Sequence, residues 1–135
     1  MRFENKQTLI NENKAISLFC SKYSMEFVKL GENEIDFLVS KDNKEYYLEV
    51  KGRRRNISNA YPLPMAARKM VKLCDKRKPS IIIWDCNDGI IYGGVNELKC
   101  TGRIGGRTPR ESSHNDIEFM LYFDKQEALH TINKQ

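Results

Sequence analysis

"EIDFLVSKDNKEYYLEVK", residues 34–51, decides the fold. Ile35, Phe37 and Val39 share one face of a strand over 34–39, and Tyr46, Leu48 and Val50 share one face of a strand over 45–51. Asp42 and Asn43 between them suit a two-residue hairpin turn. That turn sets Lys41 against Lys44, Val39 against Tyr46, Leu38 against Tyr47, and Asp36 against Glu49. Two carboxylates would then face each other on the side that also carries Lys51. A slip of one residue would send one of them to the opposite face, and the shared apolar face argues against the slip.

Working outward, residues 8–23 place Leu9, Ile16, Phe19, Cys20 and Tyr23 at helical spacing. Glu12 lies three residues after Leu9 and four before Ile16, so the helix carries an acid on its inward side. Residues 25–30 read as a strand. Downstream, Arg53, Arg54 and Arg55 lead into a loop, and Pro62 or Pro64 suits the first turn of a helix running to about Arg77. Leu63, Ala67, Met70 and Cys74 give that helix an apolar stripe, with Arg68, Lys69, Lys72 and Lys76 on its other side. Two strands follow, over 80–86 and 90–95. Residues 99–115, rich in Gly, Ser and Arg, read as a flexible basic loop, and the chain closes with a strand over 117–123 and a short helix from Asp124. The expected fold is α/β, one domain of order αβββαββ. Its core spans about 8–95, with a mixed central sheet flanked by helices and a C-terminal β-α addition over 116–135.

At 135 residues and 40% hydrophobic content the chain has enough material for a buried core. Its net charge of +5 permits a polyanionic partner, and the distribution says more than the total. Between 51 and 78, ten Lys and Arg stand against one acid, Asp75, so the rest of the chain is net acidic. Cys20, Cys74, Cys86 and Cys100 form no CxxC pair and His114 and His130 lie far downstream, which argues against zinc. The N-terminus has no apolar signal-like stretch and no apolar run approaches spanning length, so the expectation is a soluble cytoplasmic protein with free thiols in a reducing compartment, and no membrane partner.

Like charges opposite one another on a sheet repel, and an intervening cation is a natural reason for them to persist. Asp36 and Glu49 are candidate ligands for Mg²⁺, with Mn²⁺ as a substitute, together with the Val50 carbonyl and Glu12 from the helix. Lys51, on the face of Glu49, is the candidate catalytic cation, orienting a water or stabilising the transition state. Such an ensemble suits metal-assisted phosphodiester hydrolysis. Arg53, Arg54, Arg55, Arg68, Lys69, Lys72 and Lys76 are candidate phosphate contacts.

Asp36 on the second strand, "EVK" at 49–51 on the third, the preceding helix with Glu12 and the following basic helix resemble the restriction-endonuclease-like, PD-(D/E)xK, nuclease superfamily. The intervals of 24, 13 and 2 between Glu12, Asp36, Glu49 and Lys51 are most similar to archaeal-type Holliday junction resolvases, followed by phage-encoded recombination and repair nucleases. The resemblance implies a Mg²⁺-dependent endonuclease on DNA, selective for branched structures, in recombination or repair. Symmetric cutting of two strands would suggest a homodimer. Ile35 stands where the family often has Pro, and three other ExK triplets occur, at 4–6, 12–14 and 97–99, so only strand context singles out 49–51.

The competing interpretation of the acids is a surface charge ladder. The competing function is a non-catalytic nucleic-acid-binding protein or assembly factor on a degenerate nuclease fold, since phosphate attraction needs no metal. Arg103, Arg107 and Arg110 lie in the basic loop and are either a backbone clamp or idle surface. Tyr47, Tyr61 and Trp84 are expected to pack.

Overall fold

The computed structural model describes residues 6–31, 35–74, 78–106 and 117–134. Helix α1 (Lys6–Tyr23) buries Glu12, Ala15, Ile16, Phe19 and Cys20, which recur at helical spacing. It stops where Ser24 turns left-handed at φ 53°, and Met25 N–H donates back to the Cys20 carbonyl at 2.9 Å, satisfying an end-of-helix acceptor. The chain continues into β1 (Glu26–Lys29), an exposed edge strand.

Strands β2 (Phe37–Lys41) and β3 (Lys44–Gly52) form the expected hairpin, with Lys41 against Lys44, Val39 against Tyr46 and Leu38 against Tyr47. Asp42 and Asn43 take φ of 51° and 65°, the pair of left-handed residues that a type I′ turn requires. One residue departs from the expected face. Ile35 packs with Leu63, Met65 and Trp84, whereas Phe37 and Val39 pack under α1, because the chain bends at Asp36 and β2 begins only at Phe37.

The central sheet has the order β1-β2-β3-β5-β6-β9. Here β5 (Ser80–Asp85) runs parallel to β3, and β6 (Gly89–Gly94) and β9 (His130–Asn133) add antiparallel, so the sheet is mixed, as expected. One face carries Phe37, Leu48, Val50 and Ile83 against Ile16 and Phe19 of α1. The other carries Ile82, Trp84 and Ile91 against β4 (Leu63–Ala66), α2 (Ala67–Cys74) and Phe123 of β8 (Ile117–Phe123).

Three expectations need correction. The helix placed from Pro62 or Pro64 begins at Ala67, and residues 63–66 are strand β4. Leu63 and Met65 alternate inward, and Pro64 is tolerated because β4 is an edge strand of a second sheet, paired on one side with β8, where a missing donor costs little. Part of the expected loop over 99–115 is strand β7 (Thr101–Gly106), paired with β8; residues 107–115 lie outside the described residues. Gly102 there makes room for an aromatic, since a Cβ would lie 2.6 Å from the Phe119 ring. Finally, the helix expected from Asp124 is absent among the described residues. Leu129 is buried and His130–Asn133 pairs with β6, so the C-terminal segment supplies the sixth strand of the central sheet. Residues 125–129, "KQEAL", form a turn, in which the Gln126 side chain bonds both backbone groups of Lys99 in place of a helix.

Cys20, Cys74, Cys86 and Cys100 are free thiols, and burial pushes Cys20 and Cys86 up to about 11. Among the described residues no helix is long and apolar enough to cross a membrane.

Candidate active site

The parallel pairing of β3 with β5 holds the carboxyl end of β3 rigidly in the middle of the sheet, with Glu49 beside Ile82 and Lys51 beside Trp84. Leu48 and Val50 bury themselves toward α1, which turns Glu49 and Lys51 to the other face. Asp36 arrives from the neighbouring strand. Its bend lets the side chain fold back so that Oδ2 accepts the Val50 N–H at 3.0 Å, while its own N–H donates to Glu49 Oε2 at 3.2 Å. The two carboxylates are thus latched reciprocally by backbone donors, and they are only 4% and 8% exposed.

Lysines answer these charges. Lys29 of β1 places Nζ 3.1 Å from Glu12 Oε2 and 3.8 Å from Asp36 Oδ1, so it bridges the helix acid to the hairpin acid. Lys69 of α2 approaches Glu49 Oε1 at 3.4 Å. The compensation at Glu49 is incomplete. Burial, and then the negative charge of Asp36, push its carboxyl above the ordinary 4.5, against the pull of Lys69.

Below the ordinary value, Glu49 is protonated in both folded and unfolded chains and contributes nothing. As pH rises through 4.5 toward the raised folded value, the unfolded chain releases its proton first, so Glu49 lowers stability increasingly across that window. Glu49→Gln should therefore gain melting temperature over the parent at pH 7 and gain little at pH 4. A difference that is flat or shrinks with rising pH would contradict the raised carboxyl.

The pair was legible in the sequence, and Glu12 is buried beside it through Lys29. Lys51 is half-buried on the face of Glu49. Lys69, a candidate phosphate contact, lies 3.4 Å from Glu49 Oε1. Lys29 was missed, because its place beside Phe37, one position from Asp36, is set by the pairing of β1 with β2. Of the arginines after β3, Arg53 donates through Nε and Nη2 to the carbonyls of Ala60 and Pro62 at 2.9 and 3.3 Å, and Arg55 Nη1 donates to the Asn59 carbonyl at 3.4 Å. Both brace the loop onto the strand end. Arg54 is exposed, and lines a cleft of about 570 Å³ with Glu12, Lys14 and Val50. Arg68 pairs with Glu118 at 3.1 Å while remaining 70% exposed, Lys72 is exposed, and Lys76 lies outside the described residues. Tyr47 and Tyr61 pack against the core that holds the fully buried Trp84, as expected.

The donor chemistry tests the cation assignment. Asp36 and Glu49 offer hard carboxylate oxygens, a set suited to Mg²⁺ or Mn²⁺ rather than to zinc. Among the described residues no group of three His, Cys, Asp or Glu side chains is placed to hold a metal ion, so the fit is to the pair, with Glu12 tied to Lys29.

No family model matches the chain, and no curated protein matches it. Among solved structures it is similar to Hjc of Archaeoglobus fulgidus, a Holliday junction resolvase from an archaeal hyperthermophile. The likeness has a TM-score of 0.56 at 16% identity, covering 90% of this chain and 85% of that one. At that identity the likeness shows a shared fold and nothing further.

Proposed function

We propose that the chain is a divalent-cation-dependent endonuclease that hydrolyses phosphodiester bonds in branched DNA, as in recombination or repair. The observation that carries this reading is the buried Asp36–Glu49 pair latched at the carboxyl end of β3, next to Lys51. Asp36, Glu49 and the Val50 carbonyl would hold Mg²⁺ or Mn²⁺, with Glu12 accessory. A cation held there would lower the pKa of a bound water and offset charge growing on the phosphoryl oxygens.

The remaining work falls to the protein. Lys51 projects from β3 beside Trp84 of β5, on the face of Glu49, where its ammonium would meet the phosphate or the attacking water. Arg54 and the exposed face of α2, with Arg68 and Lys72, attract and position the backbone of the nucleic acid. Arg53 and Arg55 support that surface by fixing the loop over 56–62. The fold similarity to a junction resolvase supports branched DNA as the substrate, and cutting two strands symmetrically favours a homodimer. Free thiols suit a reducing compartment such as the cytoplasm.

Incubating the purified protein with four-way junction, flap, duplex and single-stranded DNA in Mg²⁺ or Mn²⁺ tests the reading. Cleavage of the junction ahead of linear duplex, abolished by EDTA, is the expected result. Salt-sensitive binding that persists in EDTA without any cleavage would favour a non-catalytic nucleic-acid-binding role, the reading encouraged by the lysines that already answer the acids.

A further inference from the structure

We propose that Lys69 and a divalent cation exchange at Glu49, and that the displaced lysine becomes a phosphate contact, so that cation loading switches on part of the DNA-binding surface. This rests on the reading of Asp36 and Glu49 as a cation site. Glu49 Oε2 accepts the Asp36 N–H, which leaves Oε1 to meet a cation, and Lys69 Nζ occupies that approach at 3.4 Å. A charge-assisted N–H···O⁻ bond is ordinarily about 2.7–2.9 Å, so this one is loose and readily surrendered. The Lys69 side chain is 36% exposed and springs from α2 between Arg68 and Lys72, both exposed. A short swing from Glu49 therefore places its ammonium on the exposed side of α2 that carries Arg68 and Lys72.

Lys29 does not share this behaviour. It holds Glu12 at 3.1 Å and rests 4.9 Å from the centroid of the Phe37 ring, so contacts on two sides keep it in place. The two lysines thus divide the work, with Lys29 a fixed counter-charge for the helix acid and Lys69 an exchangeable one for the strand acid.

The test uses the full chain with Lys69→Met, which keeps much of the stem and removes the charge. Calorimetry with Ca²⁺ and no DNA should show Lys69→Met binding the cation about three- to tenfold tighter than the parent, because a competing positive charge is gone. Junction binding in EDTA should change less than about twofold, and binding in Ca²⁺ should weaken about five- to tenfold, a loss of one phosphate contact. Lys72→Met serves as the comparison and should weaken binding alike in both conditions. Equal losses for Lys69→Met with and without Ca²⁺, or unchanged cation affinity, would overturn the exchange. A parent protein that binds no Ca²⁺, or binds it undiminished in Asp36→Asn, would instead overturn the cation site itself.

Discussion

Asp36→Asn and Glu49→Gln should each lower divalent-dependent cleavage of junction DNA by about 10²–10³-fold or more, while the protein remains folded. Both substitutions keep the local hydrogen bonding within reach. The amide oxygen introduced by Asp36→Asn can still accept the Val50 N–H, and the one introduced by Glu49→Gln can still accept the N–H of residue 36. What disappears is one negative charge on a ligand. A loss of about 10²–10³ corresponds to about 3–4 kcal/mol of transition-state stabilisation. The same variants should melt no lower than the parent at pH 7, since each relieves repulsion between two carboxylates buried side by side. Single-turnover cleavage beside thermal unfolding separates the effects. Loss of activity together with a collapse in melting temperature would assign the acids a structural role, and full activity in either variant would remove it from the site. Glu12→Gln should fall between these extremes, because Glu12 reaches the pair through Lys29.

The hairpin was legible because two independent signals coincide. Alternation sets which side chains share a face, and Asp42-Asn43 sets the register, so Asp36 and Glu49 had one relative placement to take. The bend at Asp36 was not legible. It sends Ile35 to the opposite core, and it is the same feature that allows the Asp36 carboxylate to reach the Val50 N–H. The elements read wrongly are short and rich in Gly or Pro, or carry mild helical preference. Strands β4, β7 and β9 are set by pairing with partners distant in sequence, a term that no local window contains. The same holds for the lysines. Lys29 and Lys69 lie 17 and 20 residues from the acids they meet, on elements whose approach only the assembled sheet determines. Acids could be found by strand chemistry, whereas their counter-charges required the tertiary structure.

Trp84→Ala should be strongly destabilising, with a loss of about 3–5 kcal/mol from the emptied volume alone. Trp84 is fully buried on β5, between Lys51 of β3 and Ile91 of β6, and its ring lies 5.3 Å from that of Phe123. It therefore joins the central sheet to the β4-β8-β7 sheet. Its Nε1–H donates to the Pro64 carbonyl at 2.9 Å, so truncation also strands an acceptor on β4, adding about 1–3 kcal/mol. Together these approach the whole stability of a small domain, about 5–15 kcal/mol, and Trp84→Ala should be largely unfolded at about 37 °C. Trp84→Phe keeps an aromatic ring and loses the hydrogen bond, so it should fold with a clearly lowered urea midpoint and an unchanged slope. Because β5 fixes β3 in register, the Phe variant also reports on the site. If Lys51 is held by the strand and not by the indole, cleavage by folded Trp84→Phe stays within about threefold of the parent. A melting temperature for Trp84→Ala within a few degrees of the parent would show that the two sheets are joined by other contacts, and that the indole only fills space between them.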